Sequence, residues 1–197
     1  VAFMHRDECP TDPNDWDSGK ITIFYRSGPS DDDLAALGYK GKARADQYAR
    51  QISVYDHSGI AIWRTGGAHG YHQHGAWDTS TLGGIWQADE TQREEFAQYK
   101  RTITRKGSVE YAGKVYTDAA EIVNRYADND IETYQQYING DVYGYVVKDM
   151  RKNKSGRWVE WDVLDSCWGY FGYDYATEGI ANEIAYLFRD APEPVTA

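Results

Sequence analysis

The sequence predicts an α+β fold: a single domain with a mixed or mainly antiparallel sheet and about three to four helices. Strand-like and helix-like stretches come in blocks and do not alternate, which disfavours a parallel α/β sheet. The chain has 197 residues, of which 41% are hydrophobic and 15% aromatic, enough for one sizeable core. No repeat or long linker divides it. We therefore expect one domain over residues 1–190 and a disordered tail over 191–197.

The first half of the chain is predicted to consist mainly of strands and loops. Residues 5–19 are rich in Pro, Asp and Gly and predict an irregular segment, and SGPSDDD predicts a loop. A helical stretch is expected near 42–51. Strands are expected at 20–27, at two short stretches within 52–65 joined by a turn, and at the LGGIW segment.

The second half begins with two predicted helices. Asp89 or Thr91 is a suitable N-cap for a helix that runs to about Lys106, with Gly107 as the stop signal. A further helix is expected from about 117 to 139. The segments VYGYVVKDM and WVEWDVLDSCWGYF predict a hairpin, and a final helix is expected at about 174–189.

The negative charge is concentrated at the two ends of the chain. The formal net charge is −10, to which residues 1–33 contribute −5 and residues 160–197 contribute −7, while residues 34–159 are slightly basic at +2. If the ends meet, they form an anionic face that attracts basic surfaces. The alternative is a solvated acidic surface that serves solubility.

Several functional classes are disfavoured by what the sequence lacks. No apolar run approaches a membrane span, and the first twenty residues have no apolar stretch typical of a signal peptide. Two distant cysteines, Cys9 and Cys167, indicate a reducing compartment. Nucleotide, dinucleotide, EF-hand and common hydrolase motifs are missing, so no cofactor is expected. Direct nucleic-acid binding is disfavoured, although a basic cluster at the predicted hairpin tip, 148–157, leaves a local phosphate contact open.

A small enzyme is one alternative hypothesis. The segment around Cys167, DSCWGY, resembles the surroundings of the nucleophile in papain-like cysteine proteases, but all five histidines precede this cysteine, the wrong chain order for that family. An unrelated pair remains open, in which His57 acts as base for Cys167 and Asp56 or Asp165 orients it. Asp78 is a further acid for a small-ligand site.

A metal-binding protein is the other alternative. His69, His72 and His74 lie within six residues in a Gly-rich loop, where imidazoles can bind zinc or nickel. The loop has no cysteine, and its nearest carboxylate is Asp78. We therefore expect no evolved metal site from these residues alone.

Several segments, in the same order over most of the chain, resemble a family of uncharacterised bacteriophage and mobile-element proteins. They are DECPTDPNDWDSGKITIFYR, VYDHSGIAI, WDTSTLGGIW, YQQYINGDVYGYVV and VLDSCWGYFGYDYA. The family has no assigned activity. The resemblance implies an accessory protein in the cytoplasm of an infected bacterium, where small acidic phage proteins often occupy host defence proteins such as restriction or CRISPR effectors.

The favoured hypothesis is therefore a binding protein that inhibits a host protein with a basic, nucleic-acid-binding surface. Acidic residues would steer the encounter and aromatic residues would anchor it. The candidate binding residues are Asp7, Glu8, Asp12, Asp15, Asp17, Asp31, Asp32, Asp33, Asp162, Asp165, Trp168, Asp174 and Glu178.

Overall fold

A computed structural model describes residues 1–24, 28–37, 46–57, 59–67 and 78–189. The described chain divides into two compact units. Unit 1 comprises Val1–Thr11 and the chain from Gln136 onwards, and unit 2 comprises Asp12–Gln135. Helices and antiparallel sheets occur together, which confirms the predicted α+β class. The predicted tail, 191–197, lies outside the described residues, and the single domain over 1–190 stays a prediction.

The described residues form nine strands, four α-helices and one short 3₁₀ helix (Pro13–Asp15). The strands are β1 (Ala2–Arg6), β2 (Lys20–Ile23), β3 (Ala49–Asp56), β4 (Ile60–Arg64), β5 (Thr79–Gln87), β6 (Val109–Tyr111), β7 (Lys114–Tyr116), β8 (Val142–Lys152) and β9 (Trp158–Phe171). The helices are α1 (Asp31–Ala36), α2 (Glu90–Lys106), α3 (Ala119–Ile138) and α4 (Tyr173–Leu187).

Unit 1 is a three-stranded antiparallel sheet with α4 packed on one face. The strand order is β1-β8-β9, so β9 lies at an edge of the sheet. Side chains of β8 alternate in direction, and its inward residues Tyr143, Tyr145 and Val147 pack against Ala176 and Ile180 of α4. The opposite face of β8 includes Gly144, whose missing side chain makes room for the ring of Trp168.

Unit 2 is built on a four-stranded antiparallel sheet with the order β2-β5-β3-β4, and β6 and β7 form a separate hairpin. Its core contains large side chains from both strands and helices. Trp86 of β5, Phe96 of α2 and Ile122 of α3 are almost completely buried. Helix α2 begins at a capping box between Asp89 and Gln92 and ends at a left-handed glycine, as the sequence predicts.

Three expectations for local structure are wrong. The described part of the stretch 42–51 is a turn followed by β3, because Ala49 and Ile52 supply the buried positions of a strand. The irregular segment 5–19 overlaps the end of β1, which is stabilised by its register with β8 and not by local sequence. The predicted loop SGPSDDD contains the first turn of α1, where Ser30 and Asp33 form a capping box.

Candidate functional site

The predicted acidic residues are divided between the two units. Asp7, Glu8, Asp162, Asp165, Asp174 and Glu178 belong to unit 1, together with Trp168, whereas Asp12, Asp15, Asp17, Asp31, Asp32 and Asp33 belong to unit 2. Each unit therefore carries its own acidic set, and one anionic face made from both chain ends stays a prediction.

Some of the acids in unit 2 stabilise local structure. Asp12 accepts a hydrogen bond from the backbone N–H of Asn14 at 2.8 Å. Asp31, Asp32 and Asp33 occupy the first turn of α1, where the helix dipole favours negative charge. Hydrogen bonds from the side chain and backbone of Ser30 lower the pKa of Asp33. These carboxylates have structural roles whether or not they also meet a partner.

Within unit 1, the two distant parts of the chain meet at one end of the sheet. The backbone N–H of Asp7 donates to the carbonyl of Val142 at 2.8 Å, and that of Gly172 donates to the carbonyl of Asp141 at 2.8 Å. The segment after β1, the start of β8 and the start of α4 are thereby joined. Asp7 and Asp174 consequently belong to segments that converge on the same sheet end.

The most distinctive part of unit 1 is the stretch 160–187, which we call the β9–α4 surface, with α4 on one face of the sheet and Trp168 on the opposite face. It contains no Lys or Arg and six acids: Glu160, Asp162, Asp165, Asp174, Glu178 and Glu183. The first two face cations of β8, since Glu160 contacts Lys148 and Asp162 lies 3.9 Å from Arg151. Helix α4 has three acids and no basic residue of its own. Its surface is therefore anionic.

The β9–α4 surface also exposes an unusual number of large apolar side chains. Leu164 is 61% exposed, Tyr175 68% and Tyr186 65%. Five further exposed residues of the same stretch are Trp161, Val163, Trp168, Tyr173 and Leu187. Exposure of several such side chains in one stretch is typical of interaction sites, because leaving large apolar groups in water gives no stability to the isolated fold. Of these aromatic and aliphatic residues, only Trp168 is among the candidates predicted from the sequence.

Trp168 has a defined position on the sheet. Its ring lies over Gly144, where an added Cβ would come within 2.3 Å of the ring, and it lies 6.5 Å from the ring of His5. The backbone of β9 shifts register against β8 on either side of the regular stretch Asp165–Trp168. The ring of Trp168 is fixed against Gly144 on one side and exposed on the other, as is typical of aromatic residues that anchor a protein interface.

Cys167 lies in β9 and is exposed. It is opposite Tyr145 in the sheet, and its thiol lies 3.9 Å from the backbone carbonyl oxygen of Trp168. Burial and the hydrogen bond to Asp165 raise the pKa of Tyr145 to about 12, and burial followed by the interaction with Cys167 also raises the pKa of Tyr170. Both phenols stay protonated at neutral pH, so neither acts as a base for the thiol.

The other catalytic candidates lie in unit 2. Nδ1 of His57 is 3.6 Å from a carboxylate oxygen of Asp78, and this imidazole is 65% exposed. Asp56 is the last residue of β3, and Asp165 lies in unit 1, where it accepts a hydrogen bond from Tyr145 at 2.9 Å. His57 thus has an acidic neighbour, Asp78, that differs from the two acids predicted to orient it.

No metal centre is found among the described residues, which include no group of three or more His, Cys, Asp or Glu residues arranged to hold an ion. His69, His72 and His74 lie outside the described residues. In the described part of the chain, none of the helices combines the length and hydropathy needed to cross a bilayer.

The geometry defines a protein whose most distinctive feature is an exposed acidic and aromatic surface. No protein-family model, curated protein or solved structure matches the chain.

Proposed function

We propose that this chain is a binding protein that docks onto a partner protein through the β9–α4 surface. The observation that carries this proposal is that the stretch 160–187 has eight exposed large apolar side chains, no basic residue of its own, and four acids outside the two ion pairs with Lys148 and Arg151. A partner that covers such a surface needs apolar patches surrounded by Lys and Arg. The class of partner is therefore a protein with a basic, partly apolar face.

The acidic and the aromatic side chains of the β9–α4 surface have different roles in binding. Carboxylates on α4 speed the encounter with a positively charged protein, and this contribution weakens as salt screens it. Exposed aromatic residues slow dissociation, because their area leaves water only in the docked complex. Proteins that bind nucleic acid present basic faces of this kind. The resemblance to bacteriophage proteins supports a host defence protein, such as a restriction or CRISPR effector, in the bacterial cytoplasm as the partner.

The test captures the partner and then measures its affinity for variants of the chain. Wild-type protein is used to capture partners from bacterial lysate, the captured protein is purified, and its affinity for four forms of the chain is measured by calorimetry. They are the wild type, Asp174→Asn with Glu178→Gln, Tyr175→Ala with Leu164→Ser, and the control Asp31→Asn with Asp32→Asn. The control makes the same change of charge in unit 2.

The proposal predicts weaker binding by both β9–α4 variants and unchanged binding by the control. Removing two exposed acids should weaken affinity by about threefold to tenfold at low salt and less at high salt. Removing two apolar anchors should weaken it by at least about tenfold at any salt concentration. Equal affinity of all four forms, or loss only in the α1 control, would refute docking through this surface.

A further inference from the structure

A polar pocket in unit 2 carries a second, independent inference. It has a volume of about 350 Å³ and is lined by residues of β4, β7 and α3: Arg64, Lys114, Tyr116, Glu121, Asn124, Arg125 and Asp128. This volume lies within the range typical of small-molecule sites. Three of the lining residues are cationic in a protein whose net charge is −10.

One ion pair joins two of the residues that line the pocket. Nε of Arg64 donates to Asp128 at 2.7 Å, and its Nη2 donates to the other carboxylate oxygen at 2.9 Å. This bidentate pair neutralises Asp128 and fixes the guanidinium plane. Asp128 therefore adds little negative charge to the pocket, and Glu121 is the remaining acid of the lining.

Two cations flank Tyr116 beside this pair. Nη1 of Arg125 donates to the Tyr116 hydroxyl at 3.1 Å, and Nζ of Lys114 lies 4.9 Å from the centre of the same ring. Neither contact is with a carboxylate, so both side chains keep their full charge and spare N–H donors. Both line the same pocket and both contact Tyr116.

Arg50 adds positive potential behind the pocket. Its guanidinium hydrogen-bonds to Asn124, a lining residue, and to the backbone carbonyl of Ala120 at 3.3 Å. Burial, and then the positive charge of Arg64, lower the pKa of Arg50.

We propose that this pocket binds a small molecule through a phosphate group, held between Lys114 and Arg125. A phosphate monoester is a doubly charged acceptor at neutral pH, and Arg and Lys side chains are its usual protein partners. The polar character of the lining favours a compact, hydrophilic ligand such as a sugar phosphate. This site is in unit 2 and does not depend on docking through the β9–α4 surface of unit 1.

In the experiment, the full chain is titrated with inorganic phosphate, ribose 5-phosphate and ribose, and binding is measured by calorimetry at low ionic strength. Three variants are compared with the wild type. Lys114→Gln with Arg125→Gln removes both proposed ligands, Glu121→Gln removes the remaining acid, and Arg105→Gln with Lys106→Gln is the control. The control pair is exposed in the last turn of α2, outside the pocket lining, and changes the net charge equally.

Saturable binding of both phosphate compounds, and none of ribose, is expected for the wild type. The Lys114 and Arg125 variant should bind at least about tenfold more weakly, the control should be unchanged, and Glu121→Gln should bind more tightly. Circular dichroism verifies that the variants are folded. No saturable binding by the wild type, an equal loss in the control, or unchanged or weaker binding by Glu121→Gln would overturn the proposal.

Discussion

Replacement of Asp130 by alanine tests the most consequential polar contact in the core of unit 2. Asp130 lies on α3, and its Oδ2 accepts hydrogen bonds from Nε1 of Trp86 at 2.8 Å and from the backbone N–H of Gly19 at 3.1 Å. Trp86 is completely buried. The alanine variant would leave both donors without this acceptor.

The expected loss of stability follows from these two bonds. A hydrogen bond to a charged acceptor contributes about 1.5–3 kcal/mol, so the pair contributes about 3–6 kcal/mol. Burial of the carboxylate opposes part of this contribution, and that burial raises the pKa of Asp130 despite the hydrogen bonds that lower it. We expect Asp130→Ala to reduce the free energy of unfolding by about 2–4 kcal/mol. Asp130→Asn, which keeps an acceptor oxygen, should cost less.

The pH dependence has a definite sign. A carboxyl group whose pKa is higher in the folded state binds more protons there than in the unfolded chain, so its contribution to stability falls as pH rises. The fall begins near the unfolded pKa of about 3.9 and ends at the raised folded pKa. The stability of wild type relative to Asp130→Asn should therefore decrease across that interval.

Urea unfolding followed by tryptophan fluorescence measures all three proteins, with equal m-values as the check that the free energies are comparable. Trp86→Phe, alone and combined with Asp130→Asn, completes a double-mutant cycle for the shorter bond. A loss below about 1 kcal/mol for Asp130→Ala, or zero coupling in the cycle, would refute the assigned role of this contact.

Two further substitutions test single contacts. Asp89→Ala removes the N-cap of α2, whose carboxylate accepts a hydrogen bond from the backbone N–H of Gln92 at 2.7 Å. It should lower the free energy of unfolding in urea by about 1 kcal/mol, and Glu90→Ala, at an exposed neighbouring position, is the control. Gly144→Ala places a Cβ 2.6 Å from the carbonyl oxygen of Cys167 as well as against Trp168, and should lower stability by about 1–3 kcal/mol and shift the tryptophan emission. Wild-type stability in either variant would contradict the corresponding contact.

The elements that the sequence predicted correctly carry their signals locally. Helix α2 has its capping residues and its terminal glycine within the segment itself, and the β8–β9 hairpin has a turn made by Asn153, Ser155 and Gly156. The helix expected near 42–51 was wrong because strand pairing outweighs the helix propensity of Ala there. Pairing of β3 with β4 and β5, which is not local, determines the outcome there.

The candidate sites were predicted only in part, for a similar reason. The absence of Lys and Arg from 160–187 is visible in the sequence, but the exposure of Leu164 and Tyr175 depends on which face of β9 and α4 is covered. The polar pocket of unit 2 joins residues of β4, β7 and α3 that lie up to 64 positions apart in the Arg64–Asp128 pair. Its only sequence signal is the slightly basic balance of residues 34–159.

The pairing of β1 with β8 gives this protein a particular order of assembly on the ribosome. Unit 2 is one uninterrupted stretch of chain, so it can begin to fold as it emerges, while β1 must wait until the residues that form β8 have been made. At a translation rate of about 5–20 residues per second, that interval is on the order of ten seconds. During this interval β1 has no strand to pair with, so chaperones can bind it until β8 is made and the sheet of unit 1 forms.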